Sequence, residues 1–211
     1  MKLNEIYEIA NALAPKKLSD EACNVYGWYD NSGILVDVGE EIKGVLFSLD
    51  LSFSAIEESV KKGCNLILTH HPAMYGKLNH ARFDGADITE QKLVKVIRNG
   101  ISVISMHLNV DYADAGTDAG LAEGICVSSG AGVKCNPMAY MQTLEGGNYG
   151  RVYDVKPCTL GVLAEEIKNT FSTQRVITYG NEHREIRRVA SFCGSGADEK
   201  SGLFAKEKAQ M

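Results

Sequence analysis

Two short apolar runs flank one amphipathic stretch, and this pattern limits the possible folds more than any other feature of the chain. Residues 65–69 read NLILT and residues 101–106 read ISVISM. Continuous apolar runs of this length are expected of strands buried on both faces. Between them EQKLVKVIRN has helical spacing, with Thr89 as its expected cap and Gly100 as its stop. A further β-rich run, KGVLFSL, spans Lys43 to Leu49. It precedes an expected helix near 54–62, with Ser52 and Ser54 as candidate caps and Gly63 at its end. The order β-α-β-α-β with short turns predicts a parallel sheet with helices on its faces and right-handed crossovers.

The remaining segments fill in around this unit. Leu3, Ile6, Ile9, Ala10 and Leu13 recur at helical spacing, and Pro15 ends that helix. Asp30-Asn31-Ser32-Gly33 is a turn cluster leading into a short strand. DYADAGTDAGLAEGIC reads as a loop and then a helix, and the Gly-, Ser- and Asn-rich stretch 128–148 reads as a boundary or surface loop. Beyond it, YGRVYDV, QRVITYG and IRRVASFCG read as strands, LGVLAEEIKNTF as a helix, and the tail as a terminal helix. The expected fold class is therefore α/β. It comprises a lobe over 1–127 and a shorter lobe over 128–211, with largely parallel or mixed sheets and helices on their faces.

The net charge is −5, and no window is strongly basic, which disfavours a nucleic-acid partner. The N-terminus lacks the form of a signal peptide, and no apolar run approaches the roughly 20 residues of a membrane span. A soluble, cytoplasmic protein is expected. Six cysteines, at 23, 64, 126, 135, 158 and 193, show no C-x-x-C spacing. They are expected to be reduced and structural.

Chemistry is expected at the carboxyl ends of the strands, where α/β sheets bind ligands. After NLIL comes Thr69-His70-His71-Pro72, and after ISVISM comes His107-Leu108-Asn109-Val110-Asp111. Histidine with carboxylate suits Zn, Fe, Mn or Ni. Pro72 holds His71 extended. An adjacent His pair can serve one metal each with a carboxylate between them, and two metals about 3.5–4 Å apart can share and polarise a water. His70, His71 and Asp111 are the expected ligands. His107 has two open roles, as a ligand or as the partner that orients Asp111, and the second is favoured. Asp50, Asp30 and Asn31 end strands or turns near the same crevice, and turn formation explains them well enough. His80 and His183 read as ordinary polar residues, Asp114 and Asp118 as helix caps, and GSGADE as a strand-to-helix turn. The sequence has no Ser-His-Asp order, phosphate loop or dinucleotide fingerprint, and no catalytic residue is assigned.

LILTHHPAMYGKLN resembles the hallmark segment of the Nif-three-like dinuclear metal-centre family, also named GTP cyclohydrolase I type 2 homologues. YDNSG resembles its Trp-Asp-Asn-x-Gly motif, with Tyr29 inserted between Trp28 and Asp30. ISMHLNVDYADAGTDAGLAE resembles its His-x-Asn-x-Asp segment, and NYGRVYDV and VASFCGSGADE resemble its middle and late segments. The resemblance implies an α/β fold of two related lobes, a homo-oligomer (often a hexameric ring), and one or two divalent cations per chain held by His70, His71 and Asp111. It also implies a metal-dependent hydrolase with a nucleotide-like substrate, or alternatively a non-catalytic regulatory or scaffold protein that binds metal. In the family one more His and one Glu near the C-terminus complete the site. Here no His follows His183, so either a truncated product or a shortened member with a reduced site is expected.

Overall fold

The computed structural model describes residues 1–77, 87–131, 136–196 and 198–208, which leaves the expectation for His80 outside the described residues. In it the apolar runs become neighbouring strands of one unit, Met1–Val110. This unit holds α1 (Leu3–Leu13), α2 (Lys16–Tyr26), β1 (Gly33–Val36), β2 (Val45–Ser48), α3 (Phe53–Lys62), β3 (Leu66–Thr69), α4 (Ile88–Arg98), β4 (Ser102–Ser105) and the start of α5 (Leu108–Tyr112). Its sheet has the order β1-β4-β3-β2. The strands β2, β3 and β4 are parallel, with Ser48 beside Thr69 and Thr69 beside Ser105. β1 adds an antiparallel edge, with Gly33 beside Ser105, so the sheet is mixed. Leu51, Ile56, Ile67, Ala73, Val96, Ile101 and Val103 form its apolar core.

Helix ends follow local chemistry. The Ser52 hydroxyl accepts from the Ala55 amide at 3.0 Å, as expected of an N-cap, and Gly63 ends α3 in the left-handed region at φ 67°. α4 starts earlier than the sequence suggests. The Asp87 carboxylate accepts from the Thr89 and Glu90 amides at 2.8 and 3.1 Å, so Asp87 is the cap and Thr89 lies within the first turn. A carboxylate can take both donors and also complements the helix dipole. α2 was not anticipated. It buries Leu18, Ser19 and Ala22, a face too small and polar to give an apolar period.

The second unit, Asp111–Met211, holds α6 (Thr117–Ser128), β5 (Ala139–Leu144), β6 (Gly147–Thr159), α7 (Leu160–Thr170), β7 (Glu185–Ser191) and α8 (Glu199–Lys208). Its sheet is β5-β6-β7 and antiparallel throughout. The sequence reading divides the chain at 127/128, whereas the compact units divide at Val110/Asp111. The reason is packing. Ala122, Ile125 and Cys126 of α6 share a core with Tyr153, Val155 and Leu163. QRVITYG forms no strand, and its Ile177 and Tyr179 are exposed. β5 lies instead in the stretch read as a surface loop. Cys23, Cys64, Cys158 and Cys193 are free thiols, while Cys126 is disulfide-bonded, against the expectation of reduced cysteines. Among the described residues no helix is long and apolar enough to cross a membrane.

Candidate metal centre

The parallel register brings Ser48, Thr69 and Ser105 to one level at the carboxyl ends of β2, β3 and β4. Thr69 and Ser105 are fully buried, and their hydroxyls lie 2.8 Å apart. Thr69 donates to the His71 carbonyl at 2.7 Å, and the Ala73 amide donates to the Ser105 hydroxyl at 3.2 Å. Thr69 has one proton, so Ser105 must donate to Thr69. This hydroxyl relay fastens the His70-His71-Pro72 turn to the sheet. The backbone adds two bonds, His70 N to Ser48 O at 3.2 Å and His71 N to Leu49 O at 2.9 Å. Thr69→Val removes the relay while keeping the side chain's shape. It leaves buried polar groups unpaired and is expected to cost about 1–2 kcal/mol. A urea titration that returns the wild-type midpoint would refute this role.

Each ring at the site is oriented through Nδ1. His70 Nδ1 lies 3.0 Å from the Met106 carbonyl, His71 Nδ1 lies 2.8 Å from Asp50 Oδ1, and His107 Nδ1 lies 2.8 Å from Asp30 Oδ1. Carbonyls and carboxylates only accept, so each Nδ1 carries a proton and Nε2 is the ring atom left to meet a ligand. This is the arrangement by which proteins prepare histidines for a cation. The ring centroids are mutually close, at 5.1 Å for His70–His71, 5.4 Å for His70–His107 and 5.9 Å for His71–His107.

Asp30 anchors this arrangement. Its side chain is 2% exposed, and besides His107 it accepts from the Ser19 and Ser32 hydroxyls at 2.6 and 2.5 Å. Burial alone would raise its pKa, but the hydrogen bonds from His107, Ser19 and Ser32 outweigh it and hold the carboxyl at about 2. The Ser32 hydroxyl also accepts from the His107 amide at 3.1 Å. The burial of Ser19, which hid α2 from the sequence pattern, thus has its cause in this carboxylate.

Asp111 follows His107 by one helical turn on α5, and the division between the two units falls just before it, within that helix. It is buried, accepts from the Thr117 hydroxyl, and has the Cys193 thiol 3.8 Å from its Oδ1. Burial pushes that thiol up to about 12, so it remains protonated.

His70, His107 and Asp111 offer ligand atoms that all lie within 4.8 Å of one another. The structure thus brings His70, His107 and Asp111 together as one group of candidate ligand atoms. His71 stands beside this group, within ring-contact distance of both other histidines. His183 is exposed in a turn. The sequence reading did not assign Asp30 and Asp50 as histidine partners. Both fall in turns, and the Asp30–His107 contact spans 77 residues of chain.

The family model for DUF34/NIF3 (NGG1p interacting factor 3) matches residues 1–210. Two relatives are named GTP cyclohydrolase 1 type 2 homolog. The Clostridium perfringens protein is 30% identical over 200 residues, covering 94% of this chain and 71% of that protein. The Clostridium acetobutylicum protein is 27% identical over 200 residues, covering 94% of this chain and 70% of that protein. Among solved structures, a hypothetical protein of Staphylococcus aureus superposes with a TM-score of 0.76 at 20% identity, covering 99% of this chain and 77% of that one. Reduced HcgD from Methanocaldococcus jannaschii gives a TM-score of 0.70 at 27% identity, covering 99% of this chain and 76% of that one. Since the family model matches nearly every residue, from the strand ends that carry the histidines to the last helix, the chain belongs to the DUF34/NIF3 family.

Proposed function

We propose that this chain is a divalent-metal-dependent hydrolase acting on a nucleotide-like substrate. The observation that carries the metal reading is that His70 and His107, each ring held through Nδ1, offer ligand atoms within 4.8 Å of those of Asp111, with the similarly held His71 ring beside them. In this reading His70, His107 and Asp111 hold a cation, and His71 adds a further nitrogen. A mixed nitrogen and carboxylate set suits Zn, Fe, Mn or Ni. A cation bound there supplies Lewis acidity, polarising a phosphoryl or carbonyl oxygen and acidifying water. The protein's own contribution is to fix the rings. Asp30 and Asp50 hold His107 and His71 in one tautomer, and the Met106 carbonyl does the same for His70. The nucleotide-like substrate is drawn from the names of the relatives, GTP cyclohydrolase 1 type 2 homolog. A homo-oligomer belongs to the same reading.

The test is elemental analysis of the purified chain, followed by chelation and reloading with Zn, Mn, Fe or Ni. One or two metals per chain are expected. Turnover of nucleotides or phosphoesters should fall to background on chelation and return on reloading. A chain that takes up no metal would sink the reading. A chain that binds metal but turns over no nucleotide or phosphoester would be a metal-binding scaffold and not a hydrolase.

A further inference from the structure

The loops that orient the histidines also carry aromatic rings and a cation that the metal reading leaves unused. Tyr75 is 68% exposed and Tyr29 is 49% exposed. The Tyr75 ring centroid lies 6.4 Å from that of His71 and 6.4 Å from that of His107. The Lys77 ammonium stands 5.7 Å over the Tyr29 ring. The Tyr29 ring and the backbone on either side of Tyr75 are held by hydrogen bonds. The Tyr29 hydroxyl donates to Asn31 Oδ1 at 2.7 Å, and the Asn31 amide donates to the Met74 and Gly76 carbonyls at 2.8 and 3.1 Å, on either side of Tyr75. Asp30, between Tyr29 and Asn31, fixes His107. One three-residue loop therefore sets both a ring of the centre and the segment that carries Tyr75 and Lys77.

Exposed aromatic rings are stacking platforms, because every nucleobase has a π face. An ammonium beside them attracts a phosphate as a point charge. We propose that Tyr75, Tyr29 and Lys77 form a recognition rim at the mouth of the centre for a nucleoside monophosphate, with the base against the tyrosine rings and the phosphate at Lys77. This inference rests on the hydrolase reading and deepens it by naming the substrate class. Asn31 acts as a positioning residue that holds the rim in register with His107.

The experiment uses the full chain loaded with zinc, with metal content measured on every sample. GMP, guanosine and ribose 5-phosphate are titrated by calorimetry and by the fluorescence of Trp28, the single tryptophan of the chain and the neighbour of Tyr29. GMP is expected to saturate, with ribose 5-phosphate binding about tenfold more weakly. Tyr75→Ala should weaken GMP about tenfold, while Tyr75→Phe keeps the ring and the affinity. Lys77→Ala should weaken GMP and leave guanosine unchanged. Metal content should equal wild type in all three variants. Equal binding of GMP and ribose 5-phosphate, or a Tyr75→Ala variant with wild-type GMP affinity, would overturn the proposal. If the chain takes up no zinc, the hydrolase reading fails on its own. The same titration on the metal-free chain then decides the rim, which requires GMP to bind more tightly than ribose 5-phosphate.

Discussion

Arg151→Met is expected to destabilise the protein by about 3–5 kcal/mol, the usual cost of stranding one member of a buried ion pair. Arg151 lies on β6 and donates through Nε to Asp118 Oδ2 at 2.7 Å, and Asp118 is fully buried in the first turn of α6. The pair joins helix to sheet inside the second unit, and the guanidinium also lies 5.5 Å from the Tyr140 ring. Burial already pushes the Asp118 carboxyl above its ordinary 3.8, with Arg151 opposing. Without the arginine the folded carboxyl rises further. Below the unfolded value both states are protonated, so that part of the penalty is absent. It grows as pH climbs from the unfolded value through the folded one and levels off above it. Urea midpoints measured from pH 4 to pH 7.5 should therefore diverge from wild type with rising pH. A double variant, Arg151→Met with Asp118→Leu, should recover most of the loss, because it removes both charges. A single variant whose midpoint matches wild type at pH 7 would show that the pair contributes nothing.

Asp30→Ala is expected to weaken zinc binding about tenfold to hundredfold although Asp30 touches no cation in the proposed centre. The loss comes from freeing the His107 ring, whose Nδ1 proton would have no carboxylate to meet. Ser19 and Ser32 lose the same acceptor, so α2 and the turn before β1 should loosen together. Asp30→Asn keeps the shape and one acceptor oxygen but not the charge, and it should fall between the two. Competition against a chromophoric chelator measures the affinities, and circular dichroism confirms that each variant is folded. An Asp30→Ala chain with wild-type zinc affinity would mean that the carboxylate only shapes the turn.

What the sequence made legible follows from how locally each feature is determined. β3 and β4 were readable because strands buried on both faces leave continuous apolar runs, and the histidines were readable because they directly follow those runs. α2 was not, since one of its buried positions is Ser19, whose presence depends on Asp30 folding against it. QRVITYG has β propensity but no partner to bury Ile177 or Tyr179, and propensity without pairing does not make a strand. β5 starts in only the short run Met138-Ala139-Tyr140-Met141 inside a Gly- and Asn-rich stretch, and its existence depends on β6 lying beside it, with Tyr140 opposite Arg151. The histidines and the aspartate after the strands were legible, but the partners of the rings were not. A turn aspartate looks the same in sequence whether it caps its own backbone or reaches a histidine far along the chain.

The hydroxyl rung of Thr69 and Ser105 also acts as a watershed. Below it lies a sheet whose integrity depends on aliphatic packing, and above it hang side chains whose identity hardly touches that packing. None of the candidate donor residues belongs to the apolar cluster below the rung, so exchanging a donor atom leaves that packing in place.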